Sequence, residues 1–166
     1  SSQIIPSLAQ QINQPEITTY RQLLPELESL SIAYVLKAFD NLGWQFVVNE
    51  CFSTVEVVEK LKIAPQHQRL LERLLEMLVE VGVLIQEDKQ WKIVKQPIVC
   101  EPEIQYQQLL NKYSVGGSET LAVDGFPGIS KVSNPKGELS LLHRCGLSLA
   151  EVLRGEVDGV QLLFPE

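Results

Sequence analysis

The sequence has 166 residues, of which 45% are hydrophobic and 21% are charged, and its formal charge is −7. This composition is typical of a soluble protein with one core, or with one small domain and an appendage. The negative charge disfavours nucleic acid as a partner because it repels phosphate backbones. No apolar run approaches the roughly 20 residues that are needed to span a bilayer.

The three cysteines, Cys51, Cys100 and Cys145, lie far apart and form no C-x-x-C pair. This spacing favours reduced thiols in a cytoplasmic protein. The N-terminal residues show no basic-then-apolar signal pattern. Because the sequence begins with Ser-Ser rather than Met, we expect an excised piece of a longer polypeptide.

Residues 1–25 are rich in Gln, Ser and Pro, and they predict an N-terminal arm with one helical turn near Tyr20–Leu24. A strong helix is predicted over Glu26–Leu42, where apolar residues cover nearly the whole circumference. A helix of this kind is buried on several sides. Gly43 is predicted to end it.

Two short elements are predicted between residues 44 and 61. Trp44–Val48 is predicted to be a short extended segment. Ser53 then begins the pattern Ser-Thr-Val-Glu, in which the Ser53 hydroxyl and Glu56 satisfy N–H groups that have no partner within the helix. A short helix is therefore predicted over Thr54–Leu61.

The stretch over residues 64–94 organises the rest of the chain. Pro65 suits the first turn of a helix, where the missing N–H would have no partner. Two neighbouring rows of apolar side chains follow at helical spacing, and Gly82 is predicted to end the helix. These apolar positions are Leu70, Leu71, Leu74, Leu75, Leu78 and Val79.

A β-hairpin is predicted directly after that helix. Its strands are Val83–Ile85 and Trp91–Val94, joined by the charged turn Gln86–Gln90. A helix that leads into a hairpin is the second half of a winged helix. We therefore predict a mainly α fold, with a winged-helix-like subdomain over residues 26–98.

Residues 99–166 are predicted to form broken short helices. The first is Glu103–Tyr113, and Gly116-Gly117 is predicted to break it. A short turn over residues 118–121 and loops over residues 124–128 and 133–137 follow. One face of the first helix is expected to carry Ile104, Leu109, Leu110 and Tyr113.

Two further helices are predicted over Glu138–Cys145 and Leu147–Arg154. Each is followed by a glycine, Gly146 and Gly155, which is predicted to end it. The final residues, 158–166, are mostly apolar and would need a partner surface.

The winged-helix pattern raises DNA binding as a candidate function. A recognition helix needs Arg or Lys on its outward face to contact phosphates and base edges. The predicted helix carries more acidic than basic residues on that face, which indicates a solvated surface. Its charged residues are Arg69, Glu72, Arg73, Glu76 and Glu80.

No catalytic or metal-binding pattern is present in the sequence. The two histidines are His67 and His143, and no H-x-x-H, H-E-x-x-H or C-x-x-C spacing occurs. His143 and Cys145 are two positions apart in the sequence, so on a helix the two side chains point in different directions. Gly116-Gly117 follows a helix and lacks the spacing of a nucleotide-binding loop. We therefore predict no catalytic, metal-binding or cofactor-binding residue.

Three tyrosines, Tyr34, Tyr106 and Tyr113, lie on predicted helices. Tyrosine can line a cavity while its hydroxyl finds a polar partner. It also packs in ordinary cores, and the residues by themselves leave both interpretations open.

The C-terminal part carries a distinctive pattern: Leu142–Gly146 (LHRCG), Leu149–Gly155 (LAEVLRG) and Leu162–Pro165 (LLFP). It resembles the segment that leads into the methyltransferase core of modular polyketide synthases. The helix over Tyr34–Gly43, and the helix over Arg69–Gly82 with its hairpin, resemble the N-terminal lid of those C-methyltransferase domains. The resemblance covers nearly the whole chain.

The resemblance implies that this chain is a lid, with residues 99–166 leading into a Rossmann-like core that binds S-adenosylmethionine. In that family the core transfers a methyl group to the α-carbon of an acyl chain held on an acyl carrier protein. The family's glycine-rich loop and catalytic residues belong to the core, so the chain alone is expected to be inactive. Substrate-tunnel candidates within the chain are Tyr34, Tyr113 and His143.

Two alternatives stay open at this point. The chain could be a stand-alone dimerisation or adaptor module that docks through its apolar residues 156–166. It could also be a winged-helix regulator that binds DNA.

Overall fold

The computed structural model describes residues 14–114 and 135–159. Within these ranges the chain is mainly α-helical with one small antiparallel sheet, so the predicted fold class is confirmed. The elements are α1 (Gln14–Asn41), β1 (Cys51–Phe52), α2 (Thr54–Leu61), α3 (Gln68–Glu80), β2 (Leu84–Glu87), β3 (Gln90–Ile93), α4 (Pro102–Ser114), α5 (Pro135–Leu147) and α6 (Leu149–Leu153), with a 3-10 turn at Pro65–His67 before α3.

Helix α1 begins twelve residues earlier than predicted, at Gln14 instead of Glu26, and it continues through Pro25. A proline inside a helix removes one hydrogen bond and destabilises the helix by roughly 3 kcal/mol. Leu23 and Leu30, on either side of Pro25, are almost fully buried. This burial offsets the unfavourable effect of the proline, and the helix continues through Pro25. The predicted helix start at Glu26 is therefore wrong. The division of the chain at residues 25 and 98 stays a prediction.

Helix α1 contributes to two hydrophobic clusters, as its apolar circumference predicts. Val35, Leu36 and Phe39 belong to a first cluster, formed with α2, α3, α6 and the sheet. Leu30 and Tyr34 belong to a second cluster, formed with α4 and α5. Because one helix supplies both, the two clusters are expected to fold together.

The winged-helix part agrees closely with the sequence pattern. Helix α2 has the predicted bounds, and the Ser53 hydroxyl accepts a hydrogen bond from the Glu56 backbone N–H at 3.2 Å. Helix α3 buries Leu71, Leu74, Leu75 and Leu78 along one face. The predicted amphipathic stripe therefore faces the first cluster.

The sheet has the order β1-β3-β2, and all pairs are antiparallel. Asp88 and Lys89 both have positive φ, which is the backbone twist that a two-residue hairpin loop requires. The turn is therefore shorter than the predicted Gln86–Gln90. The predicted extended segment Trp44–Val48 forms no strand. The strand that precedes α2 is Cys51–Phe52, which pairs with β3.

Helices α4 and α5 pack against α1 and complete the second cluster. Helix α4 buries Tyr106, Leu109 and Tyr113, whereas Ile104 is 60% exposed. The prediction that Ile104 shares the buried face is wrong. In the helix that begins at Pro102, Ile104 faces solvent and Tyr106 faces inward.

Helix α5 is longer than predicted at both ends. It begins at Pro135, within the predicted loop 133–137, and it continues through Gly146 to Leu147. Proline is well suited to a first helical position. Gly146 serves close packing, described below, and does not end the helix. Gly155, by contrast, has a φ of +75° and lies just after α6.

Several predictions fall on residues outside the described ranges. They are the break at Gly116-Gly117, the turn over residues 118–121, the loop over residues 124–128 and nearly all of the apolar end over residues 158–166. Among the described residues, no helix is both long enough and apolar enough to cross a membrane.

Candidate functional site

His143 lies where α1, α4 and α5 meet. Its Nδ1 is 2.5 Å from the hydroxyl oxygen of Tyr34. The ring of Tyr106 stacks on the imidazole, with centroids 3.9 Å apart and planes inclined by 3°. The side chain of His143 is 21% exposed. The histidine is therefore held between two tyrosines and keeps an edge at the surface.

The other ring nitrogen of His143 faces Glu103, on the first turn of α4. The Nε2 atom is 3.5 Å from Glu103 Oε2. One tautomer satisfies both contacts: Tyr34 donates to Nδ1, and a proton on Nε2 points toward the carboxylate. The three side chains thus form a polar line from the buried hydroxyl to the exposed Glu103. Such a line fixes the ring orientation and lets the histidine offer a hydrogen bond to a group that docks there.

Tyr34 is buried, and its ring rests directly on the backbone of Gly146. A Cβ added at Gly146 would overlap Cγ of the ring and lie 2.5–2.6 Å from its two Cδ atoms. Burial is the main cause that raises the pKa of the Tyr34 hydroxyl well above its ordinary value, followed by the charge of Glu103. The hydroxyl is therefore neutral and available as a donor.

Tyr113 belongs to the same cluster but has a different polar environment. Its hydroxyl lies near Glu26 of α1, which also forms an ion pair with Lys112. Burial, and then the charge and hydrogen bond of Glu26, raises the pKa of Tyr113. The ion pair of Lys112 with Glu26 fastens α4 to α1, away from His143.

Of the three predicted site residues, the structure brings Tyr34 and His143 into contact and places Tyr113 elsewhere in the cluster. Sequence reasoning did not find Glu103, nor the stacking role of Tyr106. The spacing of Glu103 and Tyr106, one helical turn apart, was the available signal. It could be interpreted only once α4 was known to face His143.

Replacing Tyr34 by phenylalanine tests this arrangement. At neutral pH we expect a loss of about 1 kcal/mol, because the hydrogen bond to His143 is removed. Above about pH 10 the unfolded tyrosine ionises before the folded one, so the wild-type protein loses stability as the pH rises. The Tyr34→Phe variant should lose less stability over the same rise in pH. Urea unfolding at about pH 8 and about pH 11 measures both effects; an equal pH dependence in the two proteins would contradict the buried hydroxyl.

Two open cavities of about 360 and 340 Å³ lie along α1, on either side of the segment after β3. Leu36 lines both of them, and Ile98 and Val99 each line one. Neither cavity includes Tyr34, Tyr113 or His143 among its lining residues. The predicted tunnel residues therefore do not line these cavities.

The outward face of α3 is unsuited to phosphate binding. Arg73 is within 3.3 Å of Glu76 and 3.5 Å of Glu80, so its charge is already balanced. The described ranges also hold no group of three or more potential metal ligands. Cys51, Cys100 and Cys145 are free thiols.

Residues 2–91 match the sequence profile of the family described as "Methyltransferase, Helix-turn-helix domain". The chain belongs to this family. The match begins before α1, continues through the first residues of β3 and therefore includes most of the winged-helix part.

The fold of this helix-turn-helix domain is also similar to solved carbon methyltransferases. The CurJ carbon methyltransferase has a TM-score of 0.74 and 32% identity over 99% of this chain and 39% of its own. The CMeT domain of the citrinin polyketide synthase, at 18% identity and a TM-score of 0.65, covers 90% of this chain and 34% of its own and shows likeness of fold alone. The predicted resemblance to the N-terminal part of polyketide synthase C-methyltransferases is confirmed.

Curated relatives of the domain are fungal polyketide synthases. The non-reducing polyketide synthase pigA of Monascus ruber is 30% identical over 145 residues, which are 86% of this chain and 4% of that protein. The non-reducing polyketide synthase ausA of Emericella nidulans is 28% identical over 143 residues, covering 86% of this chain and 5% of that protein. The chain thus spans about one twentieth of the length of these relatives.

Proposed function

We propose that this domain is the lid of an S-adenosylmethionine-dependent C-methyltransferase in a polyketide synthase. Its substrate would be an acyl chain carried by an acyl carrier protein. The observation that carries the proposal is the likeness of 99% of the chain to a carbon methyltransferase, at 32% identity and a TM-score of 0.74.

A lid suits the chemistry of carbon methylation. The attacked methyl group must be shielded from water while a carbanion-like carbon is alkylated. A helical cover with two packed clusters along one helix is rigid enough to exclude water. Such a cover also has to admit, at its edge with a core, the long arm that carries the acyl chain.

The cofactor is proposed to bind in the methyltransferase core rather than in this domain. Nucleotide-type cofactors are held at a glycine-rich turn between a parallel strand and a helix. The described sheet is a three-stranded antiparallel one whose connections provide no such turn. The residues described here therefore do not fit S-adenosylmethionine, and the domain alone is expected to be inactive.

The proposed contacts of this domain with substrate centre on His143. Its exposed edge is oriented by Tyr34 and Tyr106, so its Nε2–H group can donate a hydrogen bond at the tunnel wall. Tyr34 stands behind it as a positioning residue. Tyr113, the third candidate, would contribute to the tunnel only through the packing of α4.

The proposed partners are the methyltransferase core and an acyl carrier protein. The chain has a formal charge of −7, and carrier proteins are usually acidic as well. Docking of the carrier would therefore depend on the core or on neighbouring domains. The free thiols agree with a cytoplasmic placement, which is part of the proposal.

Calorimetric titration with S-adenosylmethionine tests the proposed division of labour. We expect no heat of binding with this chain alone, and saturable binding once the chain is joined to its methyltransferase core. Saturable binding to the chain alone would overturn the proposal. The variant His143→Gln serves as a control, since it should leave cofactor binding by the joined protein unchanged.

A further inference from the structure

Helices α1 and α2 end in the same way. Leu42 and Leu61 are each followed by a residue with positive φ, Gly43 at +88° and Lys62 at +58°. In each turn the next N–H reaches back five residues: Trp44 to the Phe39 carbonyl at 2.9 Å, and Ile63 to the Val58 carbonyl at 3.0 Å. These turns satisfy earlier carbonyls of the helix. The carbonyl oxygens of Leu42 and Leu61 remain available to an outside donor.

Arg154, just after α6, donates to both of these carbonyl oxygens. Its Nε is 3.2 Å from the Leu61 oxygen, and its Nη2 is 3.4 Å from the Leu42 oxygen. A cation is favoured at a helix C-terminus, where the peptide dipoles concentrate negative charge. One guanidinium therefore joins the ends of two helices. Leu61, at the end of α2, is 93 residues before Arg154, and Leu42, at the end of α1, is 112 residues before it.

The backbone around Arg154 repeats this attachment. The Ala64 N–H donates to the Leu153 carbonyl at 2.7 Å, and the Leu153 side chain is fully buried in the first cluster. Gly155 has positive φ, and a Cβ there would be 3.1 Å from the Ala64 Cβ. We call residues 153–155 the clasp.

We propose that Arg154 is a positioning residue for the methyltransferase. The clasp holds the path of the chain after α6 against the ends of α1 and α2, so the winged-helix part and the clasp move as one body. The orientation of the lid over the core then depends on Arg154. The role in catalysis rests on the proposed function, whereas the clasp itself does not.

The first part of the test uses the 166-residue chain. In Arg154→Gln we expect the Ala64 N–H to exchange with solvent about tenfold faster, because the opening of the clasp becomes easier. Arg154→Lys should restore most of the protection, since it keeps a cation at both helix ends. Arg69→Gln, on the exposed face of α3, is the matched control. Unchanged exchange in Arg154→Gln would overturn the proposal.

The second part uses the joined methyltransferase, with S-adenosylmethionine and acetoacetyl-N-acetylcysteamine as a small acyl thioester. We expect Arg154→Gln to raise the KM for the thioester about tenfold while the affinity for S-adenosylmethionine stays unchanged, and Arg154→Lys to recover most of it. A merely structural loss would lower the amount of active protein without changing KM, so an unchanged KM overturns the positioning role. If the exchange responds as expected but the wild-type joined protein transfers no methyl group, the proposed function fails, and with it the positioning role, while the clasp stands.

Discussion

Replacing Gly146 by alanine is expected to lower the free energy of unfolding by about 3 kcal/mol, although alanine is the better helix former. The new methyl group would overlap the Tyr34 ring, which is buried between α1 and α5. Because the ring is also held through its hydroxyl by His143, it cannot rotate away without breaking that contact. Urea unfolding of the variant and the wild-type chain measures the difference.

Two comparisons isolate the cause of this loss. In a Tyr34→Leu background the alanine should be tolerated much better, since the aromatic ring is gone, and the coupling between the two substitutions should exceed about 1 kcal/mol. Gly137→Ala, at an exposed position of the same helix, should be neutral or slightly stabilising. A similar loss for Gly146→Ala with and without the tyrosine would show that the close approach is not its cause.

Truncating Phe39 to alanine is expected to have the largest effect on stability, a loss of about 4 kcal/mol. The side chain is 1% exposed and lies in the first cluster, where it meets the edge of Phe46 at 5.6 Å between centroids. Since α1 also supplies Leu30 and Tyr34 to the second cluster, both clusters should unfold in one transition. Thermal unfolding followed by near-ultraviolet and far-ultraviolet circular dichroism measures this.

Leu24→Ala is the matched control for Phe39→Ala, because Leu24 is on the same helix but is 40% exposed. It should cost less than about 1 kcal/mol. Separate transitions for the two clusters in the Phe39→Ala variant would show that α1 does not couple them.

The winged-helix half could be predicted from local signals. Ser53, Pro65 and the leucines of α3 each determine a helix start or a buried face through contacts within a few residues. The start of α1 could not be predicted in this way. Pro25 is locally unfavourable in a helix, and only the burial of Leu23 and Leu30 against distant helices outweighs it.

Gly146 shows the same limit for the second cluster. Glycine after a helical run usually marks a helix end, but here it makes room for Tyr34, which is 112 residues earlier in the sequence. The contact of Tyr34 with His143 was likewise outside the reach of spacing rules. Both residues were substrate-tunnel candidates from the sequence, whereas Glu103 and the stacking role of Tyr106 emerged only from the packing of α4.

Methyl transfer with and without this chain tests the central claim most directly. The reaction would contain the methyltransferase core, labelled S-adenosylmethionine and an acyl thioester on its carrier protein. We predict that the core joined to this chain methylates the acyl group, and that removing the chain lowers the rate by at least about a hundredfold, because the site is then open to water and the acyl chain is no longer positioned. Equal rates with and without the chain would contradict its role as the lid.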